Sequence, residues 1–252
     1  MIIGTTRACG AERFVNICRV YALGGGIDAG TRIRIRRHRG WHARLLNVGD
    51  DDVPTGVDFR NPDHTERWLA TAEVRPGRVE LRRVIADHIA TLGRNRAKQT
   101  VLELGGGPGF LAEAILAVCE IDRYVLLDFA RPMLDVAAAR LGDQVTYHLG
   151  DFLTSDWASL LQGPFDIVVS MQAVHELRHK RRMQLLYEQV RTLMRPDSVL
   201  VVCDHEPKDD VRSRALHASA MEQVAAMTAA GFASAAVLVE ISGLYVVVCK
   251  AA

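Results

Sequence analysis

A glycine-rich segment lies near the middle of the chain, directly after a short apolar run. Residues 101–110 read Val-Leu-Glu-Leu-Gly-Gly-Gly-Pro-Gly-Phe. Glycine allows positive φ angles and a close approach of the backbone to a ligand, and a helix that begins after the loop adds unpaired N–H donors. The spacing from Gly105 is G-x-G-x-G, whereas a dinucleotide fingerprint reads G-x-G-x-x-G. Glu103 would repel a pyrophosphate but suits an ammonium group. A tight turn that binds nothing is the alternative for this motif alone.

Two more carboxylates stand at the ends of the next two predicted strands. Asp128 follows the loop by about 20 residues, where an acidic side chain can accept both hydroxyls of a ribose; the alternative is a cap for a helix that begins near Pro132. Asp151 and Phe152 end the third strand, where a carboxylate can accept an adenine amino group and a ring can pack on the base. Parallel strands bind ligands at their carboxyl ends, so these groups are predicted to contact parts of one ligand.

Strands and helices that would position these residues alternate regularly beyond Gln99. Short apolar strands separated by amphipathic helices predict a parallel sheet covered on both faces. The predicted strands are Thr100–Leu104, Tyr124–Asp128, Val145–Leu149, Asp166–Ser170, Ser198–Asp204, Ala235–Glu240 and Leu244–Cys249. The predicted helices between them are Phe110–Cys119, Pro132–Leu141, Leu160–Gln162, Lys180–Met194 and Val211–Ala230. The last two strands are joined by only three residues, which permits only an antiparallel pair.

The part of the chain before this pattern divides into two regions. Helices are predicted over Asp63–Glu73 and Arg78–Leu92, and we expect them to pack over the carboxyl end of the first strand. Residues 31–40 are arginine-rich, which favours a flexible extension, with a basic arm for RNA as the alternative. The predicted organisation is an N-terminal extension (1–60) and a main domain (61–252), made of a helical cap (61–98) and a Rossmann-like core (99–252).

Composition indicates a soluble, cytoplasmic protein. The net charge of +1 gives no overall field that would recruit nucleic acid or an anionic membrane. The five cysteines are scattered, which argues against a disulfide framework and a zinc site. The N-terminus lacks the apolar core of a secretory signal. The apolar stretch Phe232–Cys249 is interrupted by Glu240 and by Ser242-Gly243, so two strands explain it better than a membrane span.

Several segments in succession resemble the motifs of class I S-adenosylmethionine-dependent methyltransferases, and most closely those of small bacterial methyltransferase-domain proteins. The segments are E-L-G-G-G-P-G, L-L-D-F-A-R-P-M-L, G-D-F, F-D-I-V-V-S-M-Q-A-V-H-E-L and L-M-R-P-D-S-V-L-V-V-C-D-H. The resemblance covers roughly Asn61 to Ala252. One departure is Asp197, where the family usually has glycine. The resemblance implies an α/β fold with a Rossmann-like, mostly parallel seven-stranded sheet and a C-terminal antiparallel hairpin, and S-adenosylmethionine as cofactor.

The same resemblance implies roles for particular residues. It places at the methionine end Glu103, Gly105, Gly107 and Gly109. It places at the ribose Asp128 and Phe129, at the adenine Asp151 and Phe152, and beside the sulfonium Met171. Arg78 is interpreted either as a partner of the methionine carboxylate or as a solvated helix arginine.

Two histidines follow the fourth and fifth strands, where methyl transfer would occur. Histidine is the usual general base at neutral pH, so His175 is the first candidate and His205 the second. Either one could instead only order its loop by hydrogen bonding, and methyl transfer can also proceed by positioning alone. His175, Asp204 and His205 are ligand types that hold metal. However, Met171 and Gln172 stand where metal-dependent relatives carry an acidic ligand, so no metal is predicted.

Elimination leaves a small molecule as the methyl acceptor. The chain lacks the D/N/S-P-P-Y/F tetrapeptide of adenine amino-methylation, a Pro-Cys nucleophile, and a paired-glutamate loop after strand four. Trp68 and the early helices are expected to help close over the acceptor. The alternatives are an RNA methyltransferase that uses the basic arm and a non-catalytic S-adenosylmethionine-binding adapter. A nicotinamide-dependent reductase is disfavoured by the glycine spacing and the terminal hairpin.

Overall fold

The computed structural model describes residues 52–93, 98–154 and 156–252, so the arginine-rich segment and the rest of residues 1–51 lie outside the described residues. The strands are β1 (Gln99–Leu104), β2 (Ile121–Asp128), β3 (Thr146–Leu149), β4 (Phe165–Met171), β5 (Met194–His205), β6 (Ser234–Ile241) and β7 (Leu244–Lys250). The helices are α1 (Pro62–Ala72), α2 (Arg78–Gly93), α3 (Phe110–Leu116), α4 (Arg131–Leu141), α5 (Met183–Thr192), α6 (Val211–Leu216) and α7 (Ala220–Ala229).

All seven strands belong to one sheet, in the order β3-β2-β1-β4-β5-β7-β6. The first five strands pair in parallel, and β7 lies antiparallel between β5 and β6. This confirms the predicted Rossmann-like α/β fold with its C-terminal antiparallel hairpin. The chain runs from β1 to β2 on one side and reaches β4 on the other. The carboxyl ends of β1 and β4 therefore form the switch point at which open α/β sheets bind ligands.

Burial explains why the central strands are continuous apolar runs. Helices cover both faces of a parallel sheet, so residues on both sides of a central strand are buried. In β4, Ile167, Val168 and Val169 are all at most 1% exposed. The edge strand β6 instead alternates exposed and half-buried residues along its whole length. The continuous burial of β4 and the alternating burial of β6 thus correspond to a central and an edge position in the same sheet.

The helices before the sheet begin where the sequence places their caps. Asn61 accepts a hydrogen bond from the Asp63 backbone N–H, and Pro62 occupies the first turn of α1. The observed α1 and α2 end within a residue of the predicted bounds. Three arginines of this region lie at the carboxyl end of the sheet: Arg75 in the turn after α1, and Arg78 and Arg82 in the first turns of α2.

Four helix predictions are wrong in detail. The helix predicted over Phe110–Cys119 ends three residues earlier, at Leu116. The long helix predicted over Val211–Ala230 is two helices, because Ser219 and Glu222 form a capping box that starts α7 and leaves His217 extended at φ −96° and ψ 139°. The helix predicted over Lys180–Met194 begins with a 3₁₀ turn, Lys180–Arg182, and ends at Thr192, because Met194 already belongs to β5. The short helix predicted over Leu160–Gln162 is a 3₁₀ turn over Trp157–Leu160.

Residues 52–60, here called the strap, lie against the domain. The Val53 backbone N–H donates to the Arg178 carbonyl at 2.9 Å. The Arg182 guanidinium forms an ion pair with the Asp52 carboxylate at 2.5 Å. The Arg212 guanidinium donates a hydrogen bond to the Pro54 carbonyl at 2.6 Å. The strap therefore passes over the carboxyl edge of the sheet. In the part of the chain that the structure describes, no helix has the length and apolar character needed to cross a membrane.

Candidate functional site

A pocket with a volume of about 300 Å³ opens at the carboxyl ends of β1, β2, β4 and β5. Its walls are the glycine loop after β1, the segments after β2 and β4, helix α2, the strap, and the residues that follow α6. Of the residues predicted to bind a cofactor or to catalyse, most line this pocket: Glu103, Gly105, Gly107, Asp128, Phe129, Phe152, Met171, His175 and His205. Gly109 and Asp151 are not among its lining residues.

The three glycines of the glycine loop that have positive φ angles differ in the space around their Cβ positions. Gly105, Gly107 and Gly109 have φ angles of 65°, 52° and 79°, in the left-handed region that glycine favours. A Cβ on Gly105 would lie 2.3 Å from the Ala173 Cβ, and one on Gly109 would lie 2.7 Å from Leu141 Cδ1. A Cβ on Gly107 would meet no atom within 4 Å. Gly105 and Gly109 are therefore required by packing within the protein, whereas Gly107 presents its free face to the pocket.

Glu103 is buried at the end of β1, where the Tyr124 hydroxyl donates to its Oε2 at 2.7 Å. Burial raises the pKa of Glu103 to about 8, against the opposing effect of the Tyr124 hydrogen bond and with a further increase from the charge of Asp128. The carboxyl group is thus mostly protonated at pH 7 when no cation is near. A bound ammonium group would favour its ionised form.

Asp128 ties the glycine loop to β2. Its Oδ2 accepts from the Gly107 backbone N–H and its Oδ1 from the Ala130 backbone N–H, both at 2.8 Å. Burial raises the pKa of Asp128 to about 6, although these two hydrogen bonds oppose the increase. Ala130, not Asp128, occupies the N-cap position of α4. The carboxylate therefore supports the loop and lines the pocket at the same time.

Asp151 lies beside the pocket and is bound by the strap. Its Oδ2 accepts from Arg60 at 2.8 Å, and its Oδ1 accepts from the Leu153 backbone N–H at 3.0 Å. The guanidinium of Arg60 also stands over the Phe129 ring, 4.6 Å from the centroid. The strap residue thus covers two side chains that the resemblance assigns to the adenosine.

The half-buried His175 and the buried Asp204 form a pair at the other end of the pocket. The two are joined by a 2.7 Å hydrogen bond between His175 Nδ1 and Asp204 Oδ1, and the His175 backbone N–H donates to Oδ2 at 3.1 Å. Burial disfavours the imidazolium, but the charge of Asp204 and its hydrogen bond outweigh burial and raise the pKa of His175. The charge of Glu176, whose Oε1 lies 3.7 Å from His175 Nε2, adds to this increase. The pair fixes the ring so that Nε2 can exchange a proton with a ligand.

Two further imidazoles complete the cluster. The ring centroids of His205 and His217 lie 5.6 Å and 5.0 Å from that of His175, and 5.3 Å from each other. His205 Nε2 lies 3.3 Å from Gln172 Nε2. Burial lowers the pKa of His205 to about 4 and also lowers that of His217. Among the described residues, the buried Nδ1 of His217 has no hydrogen-bond partner.

Sequence reasoning missed His217 because it lay inside the predicted long helix. The signal that marks it is Ser219 followed three residues later by Glu222, which indicates a new helix start. His175, Asp204 and His217 each offer a ligand atom, and these atoms lie within 4.8 Å of one another, so the group could hold a metal ion. The metal-ligand set considered in the sequence analysis contained His205, whereas the group in the structure contains His217 instead. The bond between His175 and Asp204 already engages Nδ1 and Oδ1.

Arg78 lines the pocket from α2 and is only 7% exposed. The interpretation as a solvated helix arginine is therefore wrong. Its guanidinium stands 5.2 Å from the centroid of the Trp68 ring, which Arg75 approaches at 5.4 Å. Burial lowers the pKa of Arg78 to about 10, and the charges of Arg75 and Arg82 contribute to this decrease.

Comparison with known proteins agrees with this geometry. Residues 101–197 match the family model described as a methyltransferase domain. A search of the curated proteins found no match. Among solved structures, the chain is similar to the CurJ carbon methyltransferase, with a TM-score of 0.60 and 16% identity over 77% of this chain and 59% of that one. It therefore spans less than two thirds of that relative's length.

Two other solved structures are methyltransferases with S-adenosylmethionine bound. The chain is similar to CalS10, an amino pentose methyltransferase from Micromonospora echinaspora, with a TM-score of 0.55 and 19% identity over 69% of this chain and 91% of that one. It is also similar to human N-acetylserotonin methyltransferase, with a TM-score of 0.57 and 13% identity over 76% of this chain and 57% of that one. The fold is that of the class I methyltransferases, and the matched methyltransferase domain covers residues 101–197.

Proposed function

We propose that the protein transfers the methyl group of S-adenosylmethionine to a hydroxyl group of a small molecule, with His175 as general base. The observation that carries this proposal is the hydrogen bond between His175 and the buried Asp204, since the His175 ring lines the same pocket as the glycine loop and Met171. The amino pentose and N-acetylserotonin enzymes named above agree with a small acceptor. The proposal assigns the methyltransferase domain to residues 61–252, with residues 61–98 as its helical cap and 99–252 as its core.

The cofactor positions follow the order of the strands. Glu103 would bind the ammonium group, Gly105 and Gly107 would adjoin the methionine portion, and Asp128 would accept the ribose hydroxyls. Phe129 and Phe152 line the pocket on the adenosine side. Asp151 would accept the adenine amino group through a lone pair that Arg60 and the Leu153 N–H leave free. Met171 would lie beside the sulfonium, and Gly109 would support the loop from outside the pocket.

The chemistry needs one base and one orienting group. When bound, S-adenosylmethionine would supply the electrophilic methyl carbon, with S-adenosylhomocysteine as the leaving group once the carbon–sulfur bond breaks. His175 Nε2 would accept the proton of the acceptor hydroxyl as its oxygen forms the new bond to the methyl carbon. Asp204 would hold the ring in the tautomer that leaves Nε2 free and would stabilise the imidazolium that forms. Asp204 is therefore a positioning residue in this proposal.

Location in the cytoplasm is part of the same proposal. The three cysteines within the described residues (Cys119, Cys203 and Cys249) are free, and two of them are buried. Unpaired thiols are typical of a reducing compartment.

A methyl-transfer assay tests the function directly. The full chain is incubated with S-adenosylmethionine labelled at the methyl group and with three acceptor pools: hydroxylated small molecules, small amines, and RNA. We expect label in the hydroxylated pool. Label only in RNA would overturn the small-molecule proposal, and label only in the amines would overturn methylation at oxygen. Binding of S-adenosylhomocysteine without label in any pool would favour the adapter alternative.

Replacing Gly107 by alanine tests the free face of the glycine loop. A Cβ at this position enters the pocket without meeting protein atoms, so we expect the variant to fold with a loss of about 1–2 kcal/mol from the positive φ. Because the Cβ occupies space next to the cofactor, we expect at least about tenfold weaker binding of S-adenosylhomocysteine, an effect of about 1.4 kcal/mol by calorimetry.

Gly243→Ala is the matched control for this variant. Gly243 also has a positive φ of 74° and open space around its Cβ position, but it lies in the turn between β6 and β7, outside the pocket lining. We expect it to lose similar stability and to bind S-adenosylhomocysteine normally. Equal affinity in the two variants would contradict the placement of the cofactor against Gly107.

A further inference from the structure

We propose that Arg78 is an anion-binding residue of the acceptor site, so that the methyl acceptor carries a carboxylate in addition to the hydroxyl group that is methylated. The inference rests on the proposed function, since it names the class of small molecule that the same pocket would methylate. It makes Arg78 a residue that determines acceptor specificity.

Arg78 is a buried cation whose counter-ion is missing from the described chain. Within residues 52–93, 98–154 and 156–252 no carboxylate forms an ion pair with it, and the nearby Glu73 binds Arg82 at 2.6 Å. Arg75 and Arg82 add further positive charge around it. A buried charge costs folding free energy unless a partner compensates it. An anionic group that enters the pocket would supply that partner.

The position of Arg78 along α2 favours the acceptor end of the pocket. Its charge acts on Cys203 at the end of β5 and on both His175 and His205. Arg82, one helical turn later, stands 5.0 Å from the centroid of the Phe110 ring, directly after the glycine loop. The two arginines therefore contact different aromatic rings along the pocket wall. A carboxylate bound by Arg78 would lie on the side of the histidine cluster.

The neighbouring side chains fit a carbon skeleton between carboxylate and hydroxyl. Trp68 lies under Arg78, and Phe59 meets the Trp68 ring edge-on at a centroid distance of 5.6 Å. Val57 and Leu216 also line the pocket. This apolar and aromatic wall suits a ring or a short hydrocarbon. The unpartnered Nδ1 of His217 can accept a hydrogen bond from a further donor on the same molecule.

Calorimetry with matched acids and amides tests the inference. The full chain saturated with S-adenosylhomocysteine is titrated with 2-, 3- and 4-hydroxybenzoate and with the corresponding hydroxybenzamides. We expect the acid of at least one isomer to bind about tenfold more tightly than its amide, the size of one charge-assisted hydrogen bond. We expect Arg78→Gln to abolish this preference. Arg83→Gln, an exposed arginine on the same helix, should preserve it.

A second titration separates the two possible sources of the carboxylate. S-Adenosylhomocysteine carries a carboxylate of its own, whereas 5′-methylthioadenosine has the adenosine and the thioether without the amino-acid portion. Equal binding of each nucleoside to wild-type protein and to Arg78→Gln supports the inference. Weaker binding of S-adenosylhomocysteine alone in Arg78→Gln would show that Arg78 serves the cofactor and would overturn it, as would equal binding of acids and amides by the wild type.

Thermal unfolding guards against a misfolded variant. Arg78→Gln removes an unpaired buried charge, so we expect the ligand-free variant to unfold at the same temperature as the wild type or higher. A large decrease would mean that Arg78 is a structural residue and would contradict the inference. Failure of the wild type to bind S-adenosylhomocysteine at all would overturn the proposed function with it, whereas binding without a preference for acids overturns only the inference.

Discussion

Replacing His175 by asparagine is expected to lower the kcat of methyl transfer by about 10²–10⁴-fold, the contribution of a general base. The asparagine amide can still donate toward Asp204, so the variant avoids leaving that carboxylate buried without a partner, while the proton acceptor at Nε2 is lost. The measurement is initial rates with the acceptor found by labelled methyl transfer, together with the affinity for S-adenosylhomocysteine. That affinity should change little, because the base acts only as the hydroxyl is deprotonated.

His205→Asn is the competing variant, since His205 is the second candidate base. Its ring faces Gln172, and the charge of Asp204 does not raise its pKa above the ordinary value of histidine. We expect a smaller loss of kcat than for His175→Asn. A full rate in His175→Asn with a large loss in His205→Asn would reverse the assignment. Full rates in both variants would favour catalysis by positioning alone.

The pH dependence of the same reaction gives an independent test of the pair. Asp204 raises the pKa of His175, and only the neutral ring can accept a proton, so kcat/KM should rise with pH through neutrality and level off above the usual range of histidine. Asp204→Asn removes the negative charge that raises the pKa of His175. Its profile should level off at lower pH, with a lower maximal rate because the ring is no longer held in one tautomer. A profile without this rise would argue against His175 as the base.

Replacing Asp128 by asparagine is expected to weaken the binding of S-adenosylhomocysteine by about 100-fold. Two ribose hydroxyls that donate to a charged acceptor at about 1.5 kcal/mol each account for about 3 kcal/mol. The change also replaces one of the two oxygens that accept from the backbone N–H groups of Gly107 and Ala130. At 100 times the dissociation constant, the ligand should stabilise the wild type by about 2.7 kcal/mol, or roughly 5–10 °C. The same concentration should stabilise the variant by only about 0.4 kcal/mol.

Asp135→Asn is the matched control for Asp128→Asn. Asp135 lies on α4, seven positions further along the chain, and forms an exposed ion pair with Arg131 at 2.7 Å. Exposed pairs of this kind contribute little to stability. We expect a wild-type thermal shift with S-adenosylhomocysteine, and no shift with NAD for either protein. An undiminished shift in Asp128→Asn would mean that Asp128 only supports the loop.

The local sequence pattern was sufficient to predict which segments form strands and which side chains stand at the carboxyl ends of those strands. Apolar runs of four to eight residues separated by helical periodicity indicate a parallel sheet, because a strand covered on both faces has no polar side. Glu103 and Asp128 could be placed at the carboxyl edge from sequence since each directly follows such a run. Both line one pocket in the structure. Helix bounds were less accurate where a cap inside an apolar pattern, such as Ser219, restarts a helix.

Contacts between distant segments could not be derived in the same way. Asp151 follows its strand as predicted, yet its carboxylate is bound by Arg60, which comes 91 positions earlier in the chain. The pairing of His175 with Asp204 joins the ends of two neighbouring strands across 29 positions. Sequence could propose both residues but not their hydrogen bond, because side-chain pairing depends on the packing of whole elements.

By itself the sequence determined the fold, since periodicity and the short link between the last two strands predict it. It also placed Glu103, Asp128 and His175 at the carboxyl ends of their strands, whereas the cofactor was inferred from the resemblance to a family. Only the tertiary structure decided that Arg78 is buried without a carboxylate partner in the described chain, that His217 joins the other two histidines, and that the strap covers the pocket. Each of these depends on which surfaces meet after folding. Burial and the distance between charges, which set the pKa of His175 and the charge balance around Arg78, exist only once those surfaces have met.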